Sequence, residues 1–124
     1  MTTGFAIFGH GSAIETANEA VREVARAFAR EGGFDLVETA FLELGHPPLP
    51  EAVDHLIARG AQCVVVVPYF LTAGKHLQVD LPRIVEEISR IHPGVEIRVT
   101  APLDAHPALA SILADRARQA LARP

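Results

Sequence analysis

Four short apolar runs alternate with four segments of helical periodicity along the chain. The clearest run, residues 63–69, contains four consecutive valines, which is typical of a strand buried on both faces of a parallel sheet. The other predicted strands cover residues 5–8, 36–44 and 95–99, and the predicted helices cover residues 17–28, 50–60, 81–91 and 107–121. Strands that alternate with helices at these spacings predict a parallel sheet with helices packed against its faces.

The apolar content of the four runs predicts their order in the sheet. The first and third runs are apolar throughout, as central parallel strands are, whereas the second and fourth mix polar with apolar residues. The order 2-1-3-4 follows, so we expect an α/β fold: a doubly wound, four-stranded parallel sheet with helices on both faces. Because 124 residues with 49% hydrophobic content supply one core, residues 1–124 are expected to form a single domain.

The last predicted helix carries an apolar face that we expect to be buried. That face comprises Leu109, Ile112, Leu113, Ala117, Ala120 and Leu121, which recur at helical spacing.

Composition excludes several classes of protein and site. Cys63 is the only cysteine, so an internal disulfide and a thiolate-rich metal cage are both excluded. The formal charge of −4 argues against a nucleic-acid partner, which needs a basic face. The longest apolar run is about half as long as a membrane span, and no basic, apolar leader follows Met1. We therefore expect a cytoplasmic protein with no membrane partner.

Two histidines and a glutamate follow neighbouring strands of the predicted sheet. Ligands of such sheets bind beyond the carboxyl ends of the strands, where the strand order reverses. His10 follows the first strand, Glu43 closes the second and His76 lies beyond the third. Two imidazoles and a carboxylate suit divalent cobalt, nickel, iron or zinc and leave coordination positions open. Taken singly, each residue also has a simpler interpretation, as a capping or loop histidine or as a carboxylate that faces water.

The loop after the third strand, residues 70–77, is unusually apolar for a connection. Two interpretations are open. In the first, the loop packs against the core or a partner subunit, and in the second it forms a wall for a flat apolar ligand. In the second case Gly74 permits close backbone approach, and Lys75, the only lysine, suits an anionic ligand.

Three motifs, in order, resemble the small sirohydrochlorin chelatases of the CbiX and SirB type, within the class II chelatases. They are Phe-Gly-His-Gly-Ser at 8–12, Ala-Phe-Leu-Glu-Leu at 40–44, and Val-Val-Pro-Tyr-Phe-Leu at 66–71 followed by Gly74-Lys75-His76. The resemblance continues through residues 92–97 and 102–107. It implies a homodimer that inserts divalent cobalt, iron or nickel into the tetrapyrrole sirohydrochlorin. The metal is then a substrate, and no permanently bound cofactor is implied.

The resemblance also implies roles for individual residues. Carried over by motif position, His10, Glu43 and His76 bind the metal and perform catalysis. The family often has Arg-Asp after the first motif, where this chain has Ala-Ile-Glu at 13–15. The residues expected to contact the macrocycle are Gly11, Ser12, Phe70, Leu71, Thr72, Gly74 and Lys75.

Three alternative functions remain open on the sequence. The first is a metal or tetrapyrrole carrier that uses the same His/Glu site without catalysis. The second is a chelatase-like structural or regulatory domain that has lost activity. The third alternative is a flavodoxin-like module that binds an anion at the Gly11-Ser12 turn, since a short glycine turn leading into a helix suits phosphate.

Overall fold

The structure is a computed structural model that describes residues 1–123. Its strands are β1 (Thr3–Gly9), β2 (Val37–Phe41), β3 (Cys63–Pro68) and β4 (Glu96–Val99). Its α-helices are α1 (Glu15–Gly32), α2 (Leu49–Ala58), α3 (Leu81–Ile91) and α4 (Ala108–Leu121). A π-helical turn, His76–Asp80, runs directly into α3.

The four strands form one parallel sheet in the order β2-β1-β3-β4. The predicted α/β fold class and strand order are therefore confirmed. The register pairs Gly9 with Phe41 and Phe8 with Pro68, so β1, β2 and β3 end at nearly the same level. The loops that follow these three strands start side by side at one edge of the sheet.

Alternate residues of β1 face different helices. Ala6 and Phe8 are fully buried on the side covered by α2 and α3. Phe5 points to the other side, where its ring centroid lies 5.6 Å from that of Phe28 in α1. Burial of each large apolar side chain stabilises the fold by roughly 1.5–3 kcal/mol. The core between the sheet, α2 and α3 comprises Ala6, Phe8, Ala40, Leu49, Ala52, Val53, Leu56, Ala61, Val64, Val66, Leu77, Leu81 and Ile88.

The second strand is shorter than the sequence predicts. It ends at Phe41 instead of residue 44. The Leu42 amide bonds to Gly9 at the end of β1, and the Glu43 amide bonds to His10 just beyond it. Leu44 has a φ of 57°, which is incompatible with an extended strand. Glu43 therefore lies in a loop just past β2 and does not close the strand.

Helix α4 forms as predicted, but the expected burial of its apolar face is wrong. None of the residues in α4 is buried, and Leu113 is 69% exposed. The amphipathic pattern predicted the helix correctly, but within residues 1–123 most of its apolar side stays exposed, and Leu109 is only partly buried. Neither α4 nor any other helix in this part of the chain combines the length and apolar character needed to cross a membrane.

Candidate functional site

The three predicted ligands lie together at the carboxyl edge of the sheet. His10 is the first residue after β1, and His76 begins the π-helical turn. Their ring centroids are 4.9 Å apart. Glu43 Oε1 lies 3.2 Å from His10 Nε2. The side chains of His10, Glu43 and His76 are 42%, 55% and 45% exposed, so a ligand can reach all three from solvent.

Hydrogen bonds at the Nδ1 atoms orient both imidazoles. His10 Nδ1 is 3.0 Å from the Gly11 carbonyl oxygen, and His76 Nδ1 is 2.9 Å from Asp80 Oδ2. A carbonyl oxygen and an ionised carboxylate can only accept hydrogen bonds, so Nδ1 carries the proton in a neutral His76 ring, whereas His10 has an acceptor beside each ring nitrogen. Nε2 of His76 then has a free lone pair, as in metal-binding histidines, and Nε2 of His10 becomes free once the Glu43 carboxylate has moved away.

Asp80 is a site residue that the sequence analysis missed. The hydrogen bond from His76, aided by the ion pair to Arg83 at 3.3 Å, holds the pKa of Asp80 below its ordinary value. The carboxylate thus remains an ionised acceptor for His76. A signal was present in the sequence, because residues four apart on a helix lie on one face. The π-helical turn that brings the pair together is a feature found frequently at functional sites.

Backbone contacts fix the loop of Glu43 against the loop of His10. The Leu42 amide donates to the Gly9 carbonyl at 2.9 Å, and the Glu43 amide donates to the His10 carbonyl at 3.0 Å. Gly11 has a φ of 93°, and a Cβ at this position would overlap the Glu43 carbonyl oxygen. Only glycine allows both this conformation and this approach.

As placed, the side chains do not form a ready-made metal cage. Among residues 1–123, no three His, Cys, Asp or Glu side chains are arranged to hold an ion. The Glu43 carboxylate lies against His10 Nε2, the atom that a metal ion needs. Metal entry at this site therefore has to separate these two groups.

The residues predicted to contact the macrocycle surround the histidines at different depths. Phe70 is half-buried, and its ring centroid lies 6.5 Å from that of His10. Leu71 is 67% exposed. A Cβ at Gly74 would meet nothing within 4 Å, so the chain itself makes no close approach there. Thr72, Gly74 and Lys75 are exposed in the loop before the π-helical turn.

A shallow cavity of about 230 Å³ opens beside His10. Gly11, Ser12 and Tyr69 contribute to its wall. Tyr69 follows β3 directly, and its position at this edge of the sheet could have marked it as a site residue. A larger cavity, of about 490 Å³, lies away from the histidines and is lined by residues of α4 alone. The smaller cavity borders the candidate site because His10 lines it, but neither Glu43 nor His76 contributes to its wall.

Comparison with known proteins identifies the family. The CbiX family model matches residues 4–120, which is nearly the whole chain. The chain belongs to the CbiX family. The resemblance stated from its three motifs is therefore confirmed.

Two relatives of this CbiX chain carry names that specify a metal. The sirohydrochlorin cobaltochelatase of Sulfolobus acidocaldarius is 34% identical over 118 residues, which cover 95% of this chain and 92% of the relative. The chloroplastic sirohydrochlorin ferrochelatase of Arabidopsis thaliana is 32% identical over 118 residues, which cover 95% of this chain and 52% of the relative. The CbiX chain thus spans about half the length of the plant relative.

A solved structure matches the CbiX chain along its full length. The crystal structure of a CbiX protein from Marinobacter aquaeolei VT8 has a TM-score of 0.85 and 28% sequence identity to it. The match covers 98% of this chain and 96% of the other. The matched fold therefore accounts for nearly all of that relative's chain.

Proposed function

We propose that this CbiX family member inserts a divalent metal ion, cobalt or iron, into sirohydrochlorin. The observation that carries the proposal is the pair of imidazoles with ring centroids 4.9 Å apart, with Nε2 of His76 free for a metal and Nε2 of His10 beside the carboxylate of Glu43, the third proposed ligand. The names of the relatives, which include a cobaltochelatase and a ferrochelatase, support the same reaction. Imidazole and carboxylate ligands accept both metals.

The reaction requires an ion that is held loosely and then transferred. His10 and His76 hold the metal through Nε2, and Glu43 turns from His10 to complete the site. The macrocycle's ring nitrogens replace these ligands, and two pyrrole N–H protons leave as the dication enters. Glu43 is a ligand before transfer and, as the metal leaves it, a base for one of the two protons, while the second proton passes to water. General acid–base help of this kind is worth roughly 10² to 10⁴ in rate.

The ligand set favours release of the ion. No thiolate takes part, since Cys63 is buried in β3 away from this edge, and all three proposed ligands are about half exposed. A tighter cage would retain the metal instead of passing it to the tetrapyrrole. The same partial exposure lets the ring nitrogens approach the ion directly.

The macrocycle rests on the loop between β3 and the π-helical turn. Phe70 and Leu71 offer apolar surface, and the ammonium group of Lys75 suits the carboxylates of the substrate. The cavity beside His10, about 230 Å³, is below the range of roughly 300–1,000 Å³ that is usual for ligand pockets. One subunit therefore supplies only part of the walls for a flat ligand.

In this proposal a second copy of the chain, in a homodimer, supplies the remaining walls for the macrocycle. Helix α4 leaves its apolar side uncovered, and the cavity along it is lined by α4 alone. The plant relative is about twice as long as this chain, so it has room for a second unit of the same size. We place the dimer contact on the exposed face of α4.

Substitution on α4 tests the homodimer. Leu113→Arg introduces a charge into the proposed contact and is expected to convert the dimer to monomers in size-exclusion chromatography with light scattering. Ile91→Arg is the matched control, because Ile91 at the end of α3 is 70% exposed and Leu113 is 69% exposed. The control should remain dimeric. A wild-type chain that is strictly monomeric and still turns over would defeat the proposal.

Substitution of Asp80 tests how His76 is held. Asp80→Ala removes the acceptor of the His76 Nδ1 proton, and loss of such a support typically lowers metal affinity roughly 10- to 100-fold. Asp80→Asn keeps an acceptor and should lose less. Titration calorimetry with Co²⁺ measures the affinities. Asp54→Ala is the control, because Asp54 pairs with His92 at 2.8 Å outside the site. Equal affinities for all four proteins would remove Asp80 from the site.

Turnover tests the enzymatic proposal itself. Sirohydrochlorin in at least tenfold excess over protein is mixed with Co²⁺ or Fe²⁺, and metallation is followed by absorbance. An enzyme yields many metallated rings per protein. A yield that stops at one ring per protein indicates a carrier, and protection from thermal unfolding by phosphate, with no effect of metals, indicates an anion-binding module.

A further inference from the structure

Asn18 is a buried polar residue beside the candidate site. It lies in the first turn of α1 and is only 2% exposed. Burial of an amide without hydrogen bonds is strongly unfavourable, so the hydrogen-bond partners of this side chain are informative. The residue does not reach the imidazoles. Its contribution to the site therefore depends on the backbone groups that its amide binds.

The Asn18 amide joins two loops to α1. Its Oδ1 atom accepts from the Ser12 amide at 2.9 Å, and its Nδ2 atom donates to the Ser12 carbonyl at 2.9 Å. The same nitrogen lies 3.4 Å from the Leu44 carbonyl oxygen. Ser12 is two residues after His10, and Leu44 directly follows Glu43. One side chain thus links the segment that carries His10 to the segment that carries Glu43.

The Asn18 side chain adds to backbone hydrogen bonds that already join these two loops. The amides of Leu42 and Glu43 already bond to the carbonyls of Gly9 and His10. Those contacts join residues 42–43 to residues 9–10, whereas Asn18 contacts the next residues along both loops, Ser12 and Leu44. Together they bracket the pair formed by His10 Nε2 and Glu43 Oε1 at 3.2 Å.

We propose that Asn18 is a positioning residue that sets the distance between His10 and Glu43 and thereby the site's capacity to take up a metal ion. The proposal rests on the proposed function. No other side chain of this length offers both a donor and an acceptor in this geometry. Aspartate keeps the size and the acceptor, but it cannot donate to the two carbonyl oxygens and places a negative charge beside them.

Two substitutions separate positioning from simple packing. If Asn18 only fills space, Asn18→Asp behaves almost like the wild type, and Asn18→Ala is the worse variant. If its donor contacts to the Ser12 and Leu44 carbonyl oxygens position the loops, Asn18→Asp is at least as impaired as Asn18→Ala, and the Glu15 carboxylate, 3.3 Å from Nδ2, adds repulsion in the Asp variant. Val53→Ala is the control for stability, since Val53 is fully buried in α2 on the opposite side of the sheet from α1.

Three measurements are made on the full chain of each variant. The proposal expects a Co²⁺ dissociation constant raised roughly 10-fold or more in both Asn18 variants, and a lower kcat for metallation with little change in the KM for sirohydrochlorin. It also expects at least tenfold faster hydrogen exchange at the Glu43 amide, with exchange in α3 unchanged. The Val53→Ala protein should show wild-type Co²⁺ affinity. Its Glu43 amide should exchange no faster than the loss of global stability in this variant explains.

The outcomes distinguish this proposal from the proposed function. A wild-type protein that does not metallate sirohydrochlorin defeats the proposed function, while the exchange of the Glu43 amide still decides the role of Asn18. A wild-type protein that turns over, with Asn18 variants that retain Co²⁺ affinity, kcat and protection of that amide, defeats the positioning role alone.

Discussion

We expect His10→Ala and His76→Ala each to lower kcat/KM for metal insertion by about 10²-fold or more. Each substitution removes one of two imidazoles that lie 4.9 Å apart, and the remaining ligands no longer span an ion. Because the two rings act as one unit, the double variant should be little worse than either single variant. Steady-state metallation of sirohydrochlorin, with circular dichroism to verify folding, measures the effect.

The control for this prediction is a histidine outside the site. His55 in α2 is exposed and lies 3.4 Å from Glu38, so His55→Ala should retain wild-type metallation. Unchanged metal binding and metallation in His10→Ala and His76→Ala would contradict the proposed roles. That result would favour a chelatase-like domain whose biological role does not depend on this site.

Gly11→Ala should be the most destabilising single substitution near the site. The new methyl group would overlap the Glu43 carbonyl oxygen, and the φ of 93° is strained for any residue with a Cβ. The loops that carry His10 and Glu43 must then separate. We expect a loss of about 3 kcal/mol or more in the free energy of unfolding, together with loss of Co²⁺ binding. Urea denaturation followed by circular dichroism provides the measurement.

Gly33→Ala isolates the contribution of backbone strain. Gly33 ends α1 with a φ of 67°, but a Cβ there would meet nothing within 4 Å. This variant should lose only about 1–2 kcal/mol and keep its Co²⁺ affinity. Similar losses in the two glycine variants would show that the contact between Gly11 and the Glu43 loop contributes little.

The sheet and the meeting of two of the three ligands were predictable because both follow from strand order. Runs that are apolar throughout belong in the middle of a parallel sheet, and this placed the first and third strands at the centre. The carboxyl ends of adjacent parallel strands lie at one edge, which brings His10 and Glu43 together. His76 lies eight residues beyond the end of β3 at Pro68, so its approach to His10 also depends on the loop between them.

Features that depend on tertiary partners were not predictable from the local pattern. The apolar period of α4 shows that the helix has an apolar face, but not whether the same chain covers it. The end of β2 depends on amides that bond to the neighbouring loop, which the apolar pattern of residues 36–44 cannot show.

The same distinction, between local spacing and tertiary contacts, applies to Asp80 and Asn18, the two residues that support the site. Asp80 lies four residues after His76, so its hydrogen bond to that ring was within reach of a spacing argument. Asn18 was not, because its partners Ser12 and Leu44 belong to separate loops that only the folded chain brings together.

The most direct test is a crystal structure of the protein grown with Co²⁺, with the metal located by its anomalous scattering. We expect a single strong peak bonded to Nε2 of both His10 and His76, with the Glu43 carboxylate turned toward the ion and Asp80 still bonded to His76 Nδ1. A fully occupied cobalt ion bound elsewhere, with the two imidazoles left uncoordinated in every subunit, would contradict the shared-ion site on which the proposed function depends.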